Sequence, residues 1–294
     1  MQVLGHRGDT CEAPENTVLA CRNAIQRGAD GVEIDVCVTA DGHVVLWHDR
    51  DPNEAIAVAR QTALEGQDYI PLVPDRDSGL RRPVAALTLR ELQEHYGYRK
   101  RAHAALDLVG AAPEEKIALS TLEQFAAWAA SEPAARTLAF DVKLTECELH
   151  LLDALQGGMQ RMCRKHPELR ERRLLLLSTQ AEVHGSLRGT LPTVEQLSCF
   201  KLVPDFELGG AVEIARKLGA RDVSIGATPL RLWSEVRRDV IAALRERRRG
   251  ALDSITVWGI DEDDTLAELV ELGVDGIITS KIARARELVR ARAA

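Results

Sequence analysis

The sequence predicts an α/β fold, a (β/α)8 TIM barrel formed as one domain over residues 1–294, with an inserted segment at about 51–115. Three observations carry that expectation. Short aliphatic or β-branched runs alternate with longer stretches of helical apolar spacing, the pattern of parallel strands joined by crossover helices. The length of 294 residues suits a single barrel, which often needs about 250. Histidines and carboxylates gather at the C-terminal ends of the first strands, where barrels of this kind carry their chemistry.

Taken in order, the predicted strands are 2–4, 31–36, 137–142, 173–177, 198–203, 222–225, 254–258 and 276–278. Asn16 is read as the cap of a helix running to about residue 26, and Ser120-x-x-Glu123 as a capping box before another. Helical spacing also covers 146–165, 208–218, 231–249, 262–272 and 281–292, with Gly219 and Gly273 where helix C-terminal glycines belong. One run, 44–47, breaks the alternation. Too few residues separate it from strand 31–36 for a parallel crossover, and Asp41-Gly42 between them signals a hairpin. The run therefore returns His48 to the barrel mouth.

The segment from 51 to 115 leaves the catalytic end straight after His48. It is rich in proline and charge around Pro71 to Pro83, predicts a helix near 89–95, and ends in the bases Arg99, Lys100 and Arg101. Insertions at such positions commonly become covers, so a lid that sets substrate choice is expected rather than a second core.

Composition narrows the class. The 45 acids and 38 bases leave a net charge of −7, without the basic surplus of a nucleic-acid binder. Six cysteines form no CxxC pair, so no zinc site is expected. No apolar run approaches the ~20 residues of a membrane span. The first predicted strand leaves no room for a signal peptide, and a reducing cytoplasmic setting is expected. Nothing marks an oligomeric state.

The chemistry concentrates in two clusters, His6-Arg7-Gly8 and Glu33-Ile34-Asp35, the second followed by His48-Asp49. Glu33 and Asp35 are two apart, so on a strand they share a face. Two hard oxygen ligands suit one divalent ion, Mg²⁺ or Ca²⁺. Two histidines can serve as general base and general acid, and Arg7 can hold a phosphate oxygen by charge-assisted hydrogen bonds. Together these groups equip a protein to cut a phosphodiester. Asp141 and Lys143 form a second same-face pair at the end of another strand. Trp258 ends a strand at the rim, where it either walls the substrate or fills the core.

The order and spacing of Gly5-His6-Arg7-Gly8, Ala13-Pro14-Glu15-Asn16-Thr17, Gly28-Ala29-Asp30, Val32-Glu33-Ile34-Asp35-Val36, Thr39-Ala40-Asp41-Gly42 and His48-Asp49 resemble the N-terminal signature of the glycerophosphodiester phosphodiesterases. Phe140-Asp141-Val142-Lys143 is similar to the family's acid-x-Lys strand, and the run from Gly273 to Thr279 to its closing strand. The stretch 51–120 matches poorly. The resemblance implies a metal held by Glu33, Asp35 and Asp141, although the family often has glutamate where this chain has Asp141. It implies catalysis by His6 and His48, with His6 favoured as base, and phosphate contacts from Arg7 and Lys143. The implied reaction is hydrolysis of a small-molecule glycerophosphodiester to glycerol 3-phosphate and an alcohol, by attack of water or of a neighbouring substrate hydroxyl. A related phosphodiesterase or phospholipase D-like enzyme acting on lysophospholipids, sugar phosphodiesters or xenobiotic esters is the alternative, motivated by the poorly matching segment.

Overall fold

The computed structural model describes residues 1–62, 67–101, 116–206, 209–228 and 231–293. Among the described residues, eleven strands run β1 (Gln2–His6), β2 (Gly31–Val38), β3 (Val44–Leu46), β4 (Tyr69–Leu72), β5 (Gly97–Lys100), β6 (Thr137–Val142), β7 (Arg173–Ser178), β8 (Phe200–Phe206), β9 (Asp222–Gly226), β10 (Ser254–Trp258) and β11 (Gly276–Thr279). The helices are α1 (Val18–Gln26), α2 (Ala55–Gln61), α3 (Leu89–His95), α4 (Leu122–Ser131), α5 (Leu152–Lys165), α6 (Ala181–Thr190), α7 (Ala211–Leu218), α8 (Trp233–Arg248), α9 (Asp263–Leu272) and α10 (Ile282–Ala293).

The expected eight strands pair in parallel in the order β1-β2-β6-β7-β8-β9-β10-β11, and β1 pairs with β11 to close the barrel. Closure leaves these strands no free edge, and the helices cover them outside, so both faces are dry. β2 shows the result: all eight residues of GVEIDVCV are buried. Leu4, Ala139, Leu175, Leu177, Val203 and Ile278 pack together as the barrel interior. The opposite faces of the strands, such as Val32, Ile34, Leu138 and Phe140, pack with Phe125, Leu155 and Val240 of the surrounding helices. Alternation along each strand is what divides these two cores.

The 44–47 run forms the expected hairpin. β3 is antiparallel to β2, with Val38 opposite Val44 and Val36 opposite Leu46. Val44 and Leu46 join the main core, whereas Cys37, Val45 and Trp47 face a separate cluster. That cluster corrects the expectation of a cover without a core. Trp47, Val84, Leu87, Leu92, Tyr96 and Tyr98 are packed together and fully shielded. Trp47 and Tyr98 ring centroids lie 5.0 Å apart, and β4 pairs antiparallel with β5. The inserted segment is thus a small structure docked on the β2–β3 hairpin. Residues 63–66 and 102–115 of that segment lie outside the described residues.

Several boundaries move. The cap of α1 is Thr17, whose side chain accepts from Ala20 N, and Asn16 is used elsewhere. The capping box of α4 is Thr121 with Gln124, one residue beyond the expected Ser120 and Glu123. β8 extends three residues past its expected end, which brings Asp205 to the barrel mouth. α6 has no counterpart in the sequence reading, because Gly185, Gly189 and Thr190 dilute its pattern. Gly219 and Gly273 cap their helices in the left-handed conformation as expected.

Candidate active site

Register places the site. His6 of β1 lies beside Glu33 of β2, and Asp35 beside Asp141 of β6. One carboxylate oxygen from each of Glu33, Asp35 and Asp141 falls within 4.8 Å of the others, and all three residues are buried. Asp141 Oδ1 is buried and accepts no hydrogen bond among the described residues. Lys143 Nζ is 3.0 Å from Asp35 Oδ1 and also pairs with Asp141 Oδ2.

Arg7 reaches this cluster through an unusual backbone. Its φ is +55°, a left-handed conformation that only a few per cent of non-glycine residues adopt. The turn directs Arg7 N to Glu33 Oε2 at 3.1 Å, while Arg7 Nε lies 3.2 Å from Asp35 Oδ2 and Nη1 2.8 Å from Glu15 Oε2. Gly8 follows with φ +87°, and a Cβ there would sit 2.6 Å from the Ala20 carbonyl carbon. Asn16, also at φ +55°, accepts from Asp35 N at 2.9 Å and donates to Asp35 Oδ2 at 2.8 Å. The sequence reading assigned Asn16 to a helix cap; its side chain instead orients a site carboxylate.

His48 Nδ1 is 2.7 Å from Asp49 Oδ1. With Asp49 as acceptor, the proton sits on Nδ1 and Nε2 is left to exchange protons. The His6 ring lies 6.1 Å from the Trp258 ring, centroid to centroid, tilted at 41°. Trp258 Nε1 donates to Asp205 Oδ1 at 2.7 Å. Gly226 makes room for this indole, since a Cβ there would be 2.5 Å from Trp258 Cζ2. Trp258 is therefore a fixed, half-exposed wall beside His6.

Electrostatics separates the carboxylates. Burial, then the charges of Asp35 and Asp141, push the Glu33 carboxyl well above its ordinary range. Burial pushes Asp35 the same way, but Lys143, His48 and Arg7 outweigh it and hold Asp35 well below. Burial raises Asp141 too, against the pull of Lys143. Burial followed by the Arg7 charge pushes His6 down to about 4. Burial with Arg7 and Arg60 holds His48 well below its ordinary value. Both rings are neutral near pH 7 in this environment. Cys11, two residues beyond Asp9, is exposed, and partial burial of its thiol with the Asp9 charge raises its pKa, which disfavours the reactive thiolate.

The structure brings together every residue singled out from the sequence: Arg7, Glu33, Asp35, Asp141 and Lys143 in one charged cluster, with His6, His48 and Trp258 around it. Sequence reasoning missed Asp49 as a partner of His48, Asn16 as a partner of Asp35, Asp205 under Trp258, and Arg60. Only a polar residue directly after the candidate histidine hinted at the first.

The fold and site together define a closed parallel α/β barrel whose mouth holds three carboxylates, two cations and two histidines. A family model described as the glycerophosphoryl diester phosphodiesterase family matches residues 6–284. The chain belongs to that family.

Among relatives, it is 53% identical over 47 residues to a glycerophosphodiester phosphodiesterase of Caldanaerobacter subterraneus, covering 16% of this chain and 19% of that protein. It is 49% identical over 49 residues to the human glycerophosphodiester phosphodiesterase 1, covering 17% and 15%. These alignments thus span less than a quarter of the curated relatives' length. Solved structures match throughout. A glycerophosphodiester phosphodiesterase from Parabacteroides distasonis superposes with a TM-score of 0.68 at 18% identity, covering 100% of this chain and 98% of that one. An Oleispira antarctica phosphodiesterase, described in complex with the product sn-glycerol-3-phosphate, gives 0.66 at 18%, covering 99% and 97%. At these identities the superpositions speak for the fold. Among the described residues no helix is long and apolar enough to cross a membrane.

Proposed function

We propose that this protein is a divalent-metal-dependent phosphodiesterase that hydrolyses glycerophosphodiesters to glycerol 3-phosphate and an alcohol. One observation carries the reading: three buried carboxylates with ligand atoms within 4.8 Å of one another, at the mouth of a barrel of this family. The donor set fits a hard cation. All three offer oxygen, Asp141 keeps an unpartnered buried oxygen, and the carboxyls of Glu33 and Asp141 are raised by burial and by the neighbouring carboxylates, a strain that a cation would relieve. Glu33, Asp35 and Asp141 would hold Mg²⁺ or Ca²⁺, which when bound neutralises phosphodiester oxygens as a Lewis acid.

The chain's own groups supply the rest. Arg7 and Lys143 border the triad and offer fixed positive charge to a phosphate placed there. His6, neutral and beside the Trp258 wall, takes the proton of the nucleophile. His48, once its Nε2 has taken a proton from solvent, gives that proton to the leaving alkoxide, and Asp49 beneath the ring stabilises the imidazolium in the interval. The nucleophile is water or a neighbouring substrate hydroxyl. Trp258 gives the alcohol an apolar face.

The test is metal removal with a substrate panel. Chelation should abolish release of phosphomonoester from glycerophosphodiesters, and Mg²⁺ or Ca²⁺ should restore it. Full turnover by stripped protein refutes the metal reading. Turnover of lysophospholipids alone would instead favour the phospholipase D-like alternative.

A further inference from the structure

One buried charge has no part in the chemistry above. Arg60 lies on α2, outside the barrel, and is 2% exposed. A fully buried arginine is uncommon unless it is paired. Arg60 Nε donates to Asp49 Oδ1 at 2.9 Å, and Nη2 pairs with Glu15 Oε1. The same Asp49 oxygen is 2.7 Å from His48 Nδ1. Glu15 also takes Arg7 Nη1, and Arg7 in turn meets Asp35. A single guanidinium thus joins the carboxylate under His48 to the carboxylate that braces Arg7. Tyr98 of the inserted segment closes the cluster: its hydroxyl is buried, and burial together with the nearby Glu15 charge pushes the phenol well above its ordinary value.

We propose that Arg60 is a positioning residue for His48, whose planar fork fixes Asp49 and, through it, the tautomer and orientation of the imidazole. The helix α2, the first element of the inserted segment, then belongs to the catalytic apparatus. The geometry explains why an arginine is needed. Asp49 and Glu15 are both buried and would repel one another without a shared cation. A guanidinium presents donors in a rigid fork and serves both acceptors at once, whereas an ammonium is a point charge on a flexible stem. With Asp49 held, Nδ1–H of His48 has one acceptor in one direction, and Nε2 points along one line. Groups one step removed from the chemistry commonly set such orientations.

The inference rests on His48 as a proton-transfer group, and the test separates the two. Arg60→Met and Arg60→Lys are made in the metal-loaded full chain and in a His48→Ala background, with glycerophosphocholine as the probe. In the parent, Arg60→Met should lower kcat about ten- to hundredfold and change KM by less than about threefold. In the His48→Ala background the same substitution should change kcat by less than about threefold, because its effect passes through a ring that is gone. Wild-type kcat in Arg60→Met, or an equal fall in both backgrounds, overturns the proposal. If Arg60→Met does not fold, Arg60→Lys decides: a fall in kcat of about fivefold or more that vanishes without His48 supports it, and wild-type kcat overturns it. Undiminished activity of His48→Ala itself strikes the reading of His48, and this inference with it.

Discussion

At Arg7 and Gly8 the chain adopts two consecutive left-handed conformations, φ +55° and +87°. The first is tolerated because Arg7 is bonded to Glu33, Asp35 and Glu15; the second because Gly8 has no side chain to strike Ala20. Gly8→Ala should therefore destabilise the fold by about 2 kcal/mol or more, read as a lower urea midpoint, since strained φ and a backbone clash act together. An unchanged midpoint would mean that α1 can shift to admit the methyl. His6→Ala and His48→Ala should each lose about two to four orders of magnitude in kcat while staying folded, as removal of a general acid or base does. An aryl ester with a good leaving group should rescue His48→Ala and not His6→Ala; the reverse exchanges their roles. The groups visible in the sequence were those whose spacing alone aims them at one face, such as Glu33 with Asp35. Asn16, Asp205 and Arg60 were hidden because tertiary contacts give them their roles.

Among the elements, the barrel strands were legible from alternation and α3 from its helical pattern at 89–95, but β4, β5 and α2 of the inserted segment were not. β4, β5 and α2 hold four, four and seven residues, too few to show a period, and of their residues Tyr98 joins the cluster around Trp47. Trimming 71–83, attractive for a loose cover, would remove part of this packing. Tyr96 Oη donates within that stretch, to Leu80 O at 2.9 Å or Arg82 O at 3.0 Å, and Arg81 donates to Pro74 O and Gln61 Oε1. The exposed turn at 75–77 is the part that can be replaced. A shortened turn there should leave the melting temperature within a few degrees and shift relative kcat/KM between glycerophosphodiesters by about tenfold, roughly 1.4 kcal/mol of differential transition-state binding. A wild-type substrate ranking would make the turn an appendage. Turnover of bis(p-nitrophenyl) phosphate should survive.

For the whole molecule, the site's crowded carboxylates are a stability liability that the proposed cation would relieve. At about a hundredfold excess over Kd, Mg²⁺ or Ca²⁺ should stabilise the fold by about 2.7 kcal/mol, a rise of roughly 4–5 °C in Tm for a chain of this size. Asp35→Asn should remove most of that rise, and an undiminished rise would place the ion elsewhere. A second dependence comes from His184 of α6, 2% exposed with neither ring nitrogen bonded among the described residues. Burial, then the Arg188 charge, pushes its pKa down to about 4. The unfolded chain takes up this proton first, so the stability is present above about pH 6.5 and is lost as pH falls toward 4, on the order of 2–3 kcal/mol. His184→Met should flatten this part of the acid limb in urea titrations at pH 7 and 4.5. An identical limb would show that His184 is solvated in the folded protein.

Barrel closure has a consequence for how the molecule is made. β1 lies between β2, its near neighbour in sequence, and β11, where Gln2 pairs with Gly276. During synthesis β1 and β2 can pair as soon as both have emerged, but the other edge of β1 stays open until β11 has followed. Open strand edges invite pairing with other chains. The candidate site residues His6 and Arg7 thus lie on and just after the strand that is enclosed last.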